Sequence, residues 1–239
     1  MVSKSKVETF VGVSGFSYPS WKGNFYPIDL KSEQFLEYYS KKLTSVEINS
    51  SFYATPNAAM IRSWHGRTGD AFRFSVKAPR QITHVLKLGS GSAEAALRLE
   101  ENLELLGTKR GPILFQLPPF LRQDLKLLES FLEKTGSIKN GVFEFRHQSW
   151  LSDPTYELLS KYGAGFCVSE TEDMEPVLKV TGRFSYVRLR RDSYDKKAID
   201  NWIKKIRELN VGVDESYIYL RHDESGENAR RALELQEKI

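Results

Sequence analysis

Cysteine is almost absent from this sequence, since Cys167 is the only one among 239 residues. No intramolecular disulfide can form, which is typical of proteins from a reducing compartment. Long apolar runs are missing as well: no segment approaches the roughly 20 residues that span a bilayer, and the first residues lack the apolar core of a secretion signal. We therefore expect a cytoplasmic protein that has no membrane partner.

Motifs for several common chemistries are also lacking. The four histidines include no pair at zinc-ligand spacing, and there is no Walker loop, GxGxxG or HExxH pattern. Gly89-Ser90-Gly91 is too short for a nucleotide fingerprint, and Gly12-Val13-Ser14-Gly15 lacks the spacing of a serine nucleophile elbow. The cofactor is left unknown. A divalent ion of the magnesium or manganese type, held by oxygen ligands at the ends of the strands, stays open as an alternative.

What the sequence does contain is an alternation of short β-type runs with helical patterns, which is typical of βα units around a parallel sheet. Eight runs predict strands, at residues 10–14, 45–49, 72–77, 113–116, 142–146, 165–169, 186–190 and 217–221. Helical periodicity lies between them, at residues 32–42, 57–65, 92–106, 121–134, 154–162, 196–209 and 227–238. Residues 171–182 contain Pro176 and little apolar periodicity, so they predict an extended loop.

Right-handed crossovers repeated in this way close most readily into a barrel. The sequence therefore predicts one α/β domain over residues 1–239, a (β/α)8 TIM-type barrel in which the helix between strands six and seven is reduced to a loop. An open, doubly wound sheet is the alternative. In a barrel of this class the active site lies at the carboxyl ends of the strands.

The side chains that should face the barrel interior are unusually charged. Because strand side chains alternate between two faces, each run splits into a helix-facing and a barrel-facing set. The barrel-facing set holds two carboxylates, Glu47 and Glu144, against six cations, which are Arg73, Lys77, Arg146, Arg188, Arg190 and Arg221. Buried charges are unfavourable unless they are paired, and two carboxylates neutralise only part of this set. We therefore predict a positively charged pocket for an anionic ligand.

A purely structural network of Glu–Arg pairs is the alternative interpretation of the same residues. Under it, Arg190 and Arg221 are ordinary rim charges, and Arg73 reaches solvent at the opposite end of its strand. The net charge of +4 does not decide the question, because it is only a weak indication of anionic partners.

Seven short motifs are spread along the chain in a specific combination. They read GVSGFSYPSW at 12–21, FYP at 25–27, VEINSSFY at 46–53, FSVKAP at 74–79, LFQLPP at 114–119, FEFRH at 143–147 followed by Trp150, and YVRL at 186–189. Together they resemble the YecE-like family of unknown function over nearly the whole chain. The resemblance implies a TIM-type barrel and no established reaction. One departure is the eighth strand, where relatives tend to carry asparagines and this chain has Arg221-His222.

Our first hypothesis is a hydrolytic, nuclease-like enzyme that acts on a phosphate-containing substrate, with nucleic acid or a nucleotide as the favoured class. Charge-assisted bonds from Lys77, Arg146, Arg188 and Arg190 would hold the phosphate oxygens. Either Glu47 or Glu144 would activate water, alone or through a divalent ion. The further expected site residues are His147 as a catalytic group, Trp21, Tyr53 and Trp150 as stacking groups, and Ser14, Tyr18, Asn49, Gln116 and Arg221 as binding groups.

The loops after strands seven and eight are the usual phosphate site of such barrels, at a helix N-terminus. Arg190 and Arg191 flank the first of these loops, and Ser225-Gly226 precedes the last helix with backbone amides that could be free. An ordinary helix cap beside surface arginines is the alternative interpretation.

Two other functions fit the same residues. In a sugar or sugar-phosphate isomerase or lyase, one glutamate would abstract a proton and Lys77 would act as electrophile. A lysine that ends a barrel strand can also form a Schiff base, although an ion-paired lysine is commoner. In a non-catalytic nucleic-acid-binding barrel, the cations would contact phosphates only. The oligomeric state stays open.

Overall fold

Eight strands and seven α-helices form a barrel in the computed structural model, which describes residues 7–136, 138–172 and 175–239. The strands are β1 (Glu8–Val13), β2 (Ser45–Ile48), β3 (Arg73–Lys77), β4 (Arg110–Gln116), β5 (Gly141–Glu144), β6 (Gly165–Glu170), β7 (Phe184–Leu189) and β8 (Glu215–Leu220). The helices are α1 (Phe35–Ser40), α2 (Ala58–Gly66), α3 (Ser92–Leu103), α4 (Leu125–Lys134), α5 (Asp153–Lys161), α6 (Lys196–Leu209) and α7 (Glu227–Lys238).

All strand pairs are parallel, and the hydrogen-bonded order is β1-β8-β7-β6-β5-β4-β3-β2. The ends of this sheet, β1 and β2, meet at one bridge between Ser14 and Glu47, which nearly closes the barrel. Between β6 and β7, the described residues 171–172 and 175–183 contain no helix. The predicted (β/α)8 TIM-type barrel, with a loop in place of that helix, is confirmed.

Apart from the backbone bridge at Ser14 and Glu47, side chains hold β1 against β2. The Tyr39 hydroxyl accepts a bond from the Val13 N–H at 2.8 Å and donates to the Ser45 carbonyl at 3.0 Å. Thr44 Oγ1 accepts from the Val11 N–H at 2.9 Å. The two strands approach so closely at Gly12 that a Cβ there would lie 2.0 Å from the Ser45 carbonyl oxygen. We call this joint the β1–β2 seam, and only glycine fits at its centre.

Replacing Tyr39 with phenylalanine is expected to lower the free energy of unfolding by about 1–3 kcal/mol, because the buried Val13 N–H then loses its acceptor. Urea denaturation measures the change. Tyr38→Phe is the matched control, since the Tyr38 hydroxyl bonds to no side chain or backbone group among the described residues. Equal stability of the two variants would contradict the role given to the Tyr39 hydroxyl.

The outer helices form where caps and apolar faces coincide. Asp195 accepts a bond from the Ala198 N–H and begins α6, whose buried face contains Ile199, Trp202, Ile203, Ile206 and Leu209. Asn57 and Asp124 cap α2 and α4 in the same way. None of the helices in the described ranges has the length and apolar character that crossing a membrane requires.

The barrel interior is apolar and aromatic at the amino ends of the strands. This lower cluster contains Phe10, Leu114, Val142, Cys167, Phe184, Tyr186, Tyr217 and Tyr219. Its tyrosines begin a polar layer above, because Tyr186 bonds Ser75 at 2.8 Å and Tyr219 bonds Ser45 at 2.6 Å. The guanidinium of Arg73 lies at the lower end, 4.7 Å from the centre of the Phe10 ring. The expectation that Arg73 adds charge to the pocket is therefore wrong.

Candidate functional site

The polar centre of the barrel is one arginine held between two glutamates. Arg188 of β7 donates from Nη2 to Glu47 Oε1 of β2 at 2.7 Å, and from Nη1 to Glu144 Oε2 of β5. All three side chains are buried, with at most 1% of their surface exposed. The remaining carboxylate positions are also filled. Ser14 and Tyr186 donate to Glu47 at 2.8 Å each, and Gln116 donates to Glu144 at 2.8 Å.

These contacts keep the triad of Glu47, Glu144 and Arg188 charged in spite of its burial. Burial alone would raise the pKa of Glu144, but the guanidinium groups of Arg188 and Arg146 outweigh it and lower the pKa to about 2. Burial alone would also raise the pKa of Glu47. The positive charges of Arg188 and Arg190 outweigh it, so the pKa of Glu47 is lowered. Burial alone would lower the pKa of Arg188. The negative charges of Glu144 and Glu47 outweigh it and raise that pKa above its ordinary value.

Two expectations about catalytic roles change as a result. Arg188 is paired with two carboxylates and is inaccessible to a ligand, so its expected role as a phosphate-binding residue is wrong. Glu47 and Glu144 are poorly suited as general bases, because a base should have a pKa near the working pH and an open oxygen atom. The triad is the structural Glu–Arg network that the sequence left open as an alternative. The guanidinium also occupies the position between the carboxylates that a divalent ion would take.

Two further cations extend the network toward the open end of the barrel. Arg190 donates from Nη1 to the Ser14 hydroxyl at 2.8 Å, and Lys77 donates from Nζ to Gln116 Oε1 at 2.7 Å. Neither side chain forms an ion pair with a carboxylate of the described residues. Burial, and next to it the charge of Arg188, lowers the pKa of Arg190 to about 10. Burial, followed by the charge of Arg188, also lowers the pKa of Lys77 to about 8.

A cavity of about 1030 Å³ opens above these residues at the carboxyl ends of the strands. Glu144 and Arg190 form part of its wall, together with Arg146 and Arg221. Arg146 binds Glu144 only through Nε at 3.2 Å and is about one-third exposed, with 38% of its side chain accessible. Arg221 is paired with Asp192 at the rim. The other lining residues are Pro119, Gln148, Leu151, Thr171, Glu172, Glu175 and His222.

The aromatic residues expected to contact a ligand fall into two groups, buried tryptophans and more accessible tyrosines. Trp21 and Trp150 are enclosed in the core and donate to the carbonyls of Asp223 and Leu121 at 2.8 Å. Their expected role in stacking on a ligand is wrong, because no ring face is accessible. Tyr18 stacks on His222 at 4.8 Å, beside the cavity, whereas Tyr53 is 86% exposed on the loop after β2.

Three other expected groups lie outside the cavity wall. His147 bonds Ser149 through Nδ1 at 2.8 Å and caps a short 3-10 turn, so nothing in its contacts gives it a catalytic position. The N-terminal amides of α7 are already bound, since Asp223 accepts from the N–H groups of Glu227 and Asn228 at 3.0 Å. The expectation of a free phosphate site there is wrong. Asn49 stays a candidate, because its Oδ1 is buried without a partner.

The chemistry of the donor set gives no obvious metal centre. Within residues 7–136, 138–172 and 175–239, no group of three or more His, Cys, Asp or Glu side chains is placed to hold a metal ion. His84, which follows β3, packs edge-on against Phe52 at 4.9 Å. The divalent ion stays an untested alternative.

Sequence reasoning missed the loop residues of the cavity. His222, Gln148 and Thr171 follow strands, where the period-two alternation that identified Glu47 and Arg188 no longer applies. The Arg221-His222 departure from the family pattern is the one signal that marked this corner, and both residues line the cavity.

Fold and site together define a class of protein, a (β/α)8 barrel with a charged cavity at the carboxyl ends of its strands. The chain belongs to the DUF72 family, described as "Protein of unknown function DUF72", whose model matches residues 10–239. The resemblance seen in the sequence motifs is confirmed. The family description assigns no reaction.

Similar proteins agree with this assignment. The chain is 23% identical to the UPF0759 protein YunF of Bacillus subtilis, over 95% of this chain and 94% of that protein. It is 28% identical to the UPF0759 protein YecE of Escherichia coli, over 60% of this chain and 50% of the relative. A crystal structure of a DUF72 family protein from Thermotoga maritima matches with a TM-score of 0.84 and 27% identity, over 96% of this chain and 98% of that one. A second, from Enterococcus faecalis, has a TM-score of 0.77 and 16% identity, covers 97% of each chain, and shows the same fold.

Proposed function

We propose that this protein is an enzyme that binds the phosphate group of a small organic substrate in the barrel-mouth cavity. The single observation that carries the proposal is Arg190. Its guanidinium is largely buried beside the charge of Arg188, lines an open cavity and has no carboxylate partner among the described residues. A cation in such a position is unfavourable unless an anion compensates it. The described residues provide carboxylate partners for Arg188 and none that contacts Arg190.

A phosphate group fits the geometry of the two arginines on the cavity wall. Arg146 and Arg190 both line the cavity, and each uses one nitrogen on a protein acceptor, Glu144 and Ser14 respectively. Their other N–H groups present the planar fork that binds phosphate oxygens through paired, charge-assisted bonds. Burial strengthens such bonds because water competes less for the donors.

The remaining wall favours a small molecule over a polymer. A volume of about 1030 Å³ lies at the upper end of the range for small-molecule sites. Glu172 and Glu175 line the same cavity, and their negative charge would repel successive phosphates of a nucleic acid strand. A ligand with one phosphate near the two arginines, and with hydroxyl or amino groups near these glutamates, matches the charges on both parts of the cavity wall. We therefore favour a nucleotide or a sugar phosphate over DNA or RNA.

Hydrolysis through Glu47 or Glu144 is the weaker form of the proposal. Both carboxylates are bonded at each oxygen, and the pKa of Glu144 is about 2, so neither is a ready acceptor for a proton from water. Isomerase or lyase chemistry that depends on Lys77 is better supported, because Lys77 lies at the end of β3 and pairs with no carboxylate in the described part of the chain.

Replacing Arg190 with methionine is expected to weaken binding of phosphate compounds by about 10- to 100-fold, the value of a charged hydrogen bond or two. The melting temperature should stay equal or rise, because the substitution removes an unpaired buried cation that repels Arg188. Isothermal titration with inorganic phosphate, AMP, ribose 5-phosphate and a short single-stranded DNA measures affinity and separates the ligand classes.

Arg183→Met is the matched control, since it removes the same charge from an exposed position next to the other end of β7. Retained binding in this variant, together with the loss in Arg190→Met, would support the site. Equal affinity in both variants would overturn it. Tightest binding to the DNA, with an affinity that falls steeply with salt, would contradict the choice of a small substrate.

A further inference from the structure

Lys77 occupies an unusual position for a lysine at the end of a barrel strand. Its Nζ donates to Gln116 Oε1 at 2.7 Å and lies 4.3 Å from the centre of the Phe52 ring. Its side chain is only partly exposed, and no carboxylate among the described residues pairs with it. The commoner environment of such a lysine is an ion pair, which would keep the amine protonated.

The hydrogen-bond acceptor of the Lys77 amine is a neutral amide oxygen, that of Gln116. Gln116 donates from Nε2 to Glu144 Oε1 at 2.8 Å, which turns its carbonyl oxygen toward Lys77. An amide oxygen accepts a bond from a neutral amine as well as from an ammonium group. Gln116 therefore positions Nζ in both protonation states and stabilises the charged state less than a carboxylate would.

The surroundings of Lys77 also favour the loss of its proton. Burial and then the charge of Arg188 lower its pKa to about 8, although Glu144 and Glu47 partly oppose this. A substantial fraction of the amine is then neutral near physiological pH. A neutral, desolvated lysine amine beside another cation is the activated form in which lysine acts as a nucleophile.

We propose that Lys77 forms an imine with a carbonyl group of the substrate, so that the substrate class is a phosphorylated aldehyde or ketone. The inference rests on the proposed function for the phosphate and adds the reacting group. Gln116 joins the Lys77 amine to Glu144 by two hydrogen bonds of 2.7 and 2.8 Å, and Glu144 is part of the cavity wall that also contains Arg146 and Arg190. Asn49, whose Oδ1 lacks a partner after β2, is available to a hydroxyl of the same ligand.

Imine formation starts from the neutral amine of Lys77. The Nζ lone pair forms a bond to the carbonyl carbon, the carbonyl π electrons move to oxygen, and one proton passes from nitrogen to that oxygen. The resulting hydroxyl takes up one further proton and leaves as water, while the nitrogen lone pair forms the C=N bond. The net change is amine plus carbonyl plus one proton to a protonated imine plus water. The imine then withdraws electrons from the neighbouring carbon, as isomerases and lyases require.

The backbone that follows β3 departs from regular structure next to this lysine. Residues Gln81–Val85 form a turn of π-helix, and Lys87 and Leu88 have φ angles of 52° and 64°. Left-handed conformations cost energy in residues other than glycine, and both features are concentrated at functional sites. The same segment supplies His84, which packs on the Phe52 ring below Lys77.

Borohydride trapping with glyceraldehyde 3-phosphate tests the proposal, because hydride reduces an imine to a stable secondary amine. Peptide mass spectrometry is expected to find the adduct on Lys77, with a rate that rises with pH and levels off above about pH 8. Lys77→Met should abolish this adduct. Lys126→Met, which removes an exposed lysine of α4, is the matched control and should leave it unchanged.

Unphosphorylated glyceraldehyde separates this proposal from the preceding one. We expect it to label Lys77 only at about 10- to 100-fold higher concentration, and we expect Arg190→Met to bring the phosphorylated probe to the same level. Labelling of Lys77 that is indifferent to the phosphate and to Arg190 would support the imine and overturn the phosphate site. Tight phosphate binding with labelling no greater at Lys77 than at exposed lysines would overturn the imine and leave the phosphate site standing.

Discussion

Replacing Arg188 with methionine is expected to destabilise the protein by about 3–5 kcal/mol, the usual result of removing one partner from a buried ion pair. Glu47 and Glu144 would then share a buried interior without the guanidinium that compensates them. The neutral donors Ser14, Tyr186 and Gln116 would remain, but they do not cancel charge. Urea denaturation monitored by circular dichroism measures the loss, with the exposed Arg183→Met as the control, where a surface pair contributes at most about 1 kcal/mol.

Removing the whole set of charges provides the decisive comparison. A triple variant with Glu47→Gln, Glu144→Gln and Arg188→Met leaves no charge within the triad itself, and neutral replacements of buried ion pairs are often as stable as the original. We therefore expect the triple variant to be more stable than Arg188→Met alone. If Arg188→Met were as stable as the parent, the triad would not hold the three strands together as described.

Below about pH 4.5, acid is expected to destabilise the protein by more than the ordinary surface carboxylates account for. The pKa of Glu144 is about 2 in the fold, against an ordinary value of 4.5, so the unfolded chain binds its proton first as the pH falls. The stabilisation is complete above about pH 4.5 and is lost progressively toward pH 2. At 1.36 kcal/mol per pKa unit, the shift corresponds to about 3 kcal/mol, and Glu47, whose pKa is also lowered, adds in the same direction.

Urea denaturation between about pH 7 and pH 3 measures this dependence. The triple neutral variant should lose most of the acid sensitivity, because its triad has nothing to protonate. Glu129→Gln is the control, since Glu129 is only partly buried and is paired with Lys161 at the surface. A stability that falls equally in the parent and in the triple variant would show that other carboxylates govern the acid response.

The sequence predicts the barrel and the inward face of its strands because both depend on local periodicity. Alternation alone places Glu47, Glu144 and Arg188 inside, and the loop after β6 follows from Pro176 and the lack of an apolar stripe. The predicted bounds of α6 and α7 are the observed ones, since a strong apolar face and a clear start coincide there.

The partners within the site could not be predicted in the same way. Five cations near the mouth compete for two carboxylates, and the choice of Arg188 over Arg190 depends on the register of β2, β5 and β7, which are far apart in the chain. The loops pose the same problem. Tryptophans in loops at the barrel mouth, such as Trp21 and Trp150, suggest stacking on a ligand. Only the packed structure shows that core contacts enclose both side chains.

The β1–β2 seam has a consequence for the outer surface of the barrel. A short chain of contacts leads from α1 inward, because Tyr39 of that helix bonds Val13, and the adjacent Ser14 hydroxyl touches both Glu47 and Arg190. In an evenly closed barrel, continuous ladder bonds would separate the outer helix from the interior. Here, a contact path through one tyrosine and one serine joins α1 to Arg190, the cation proposed to bind the ligand.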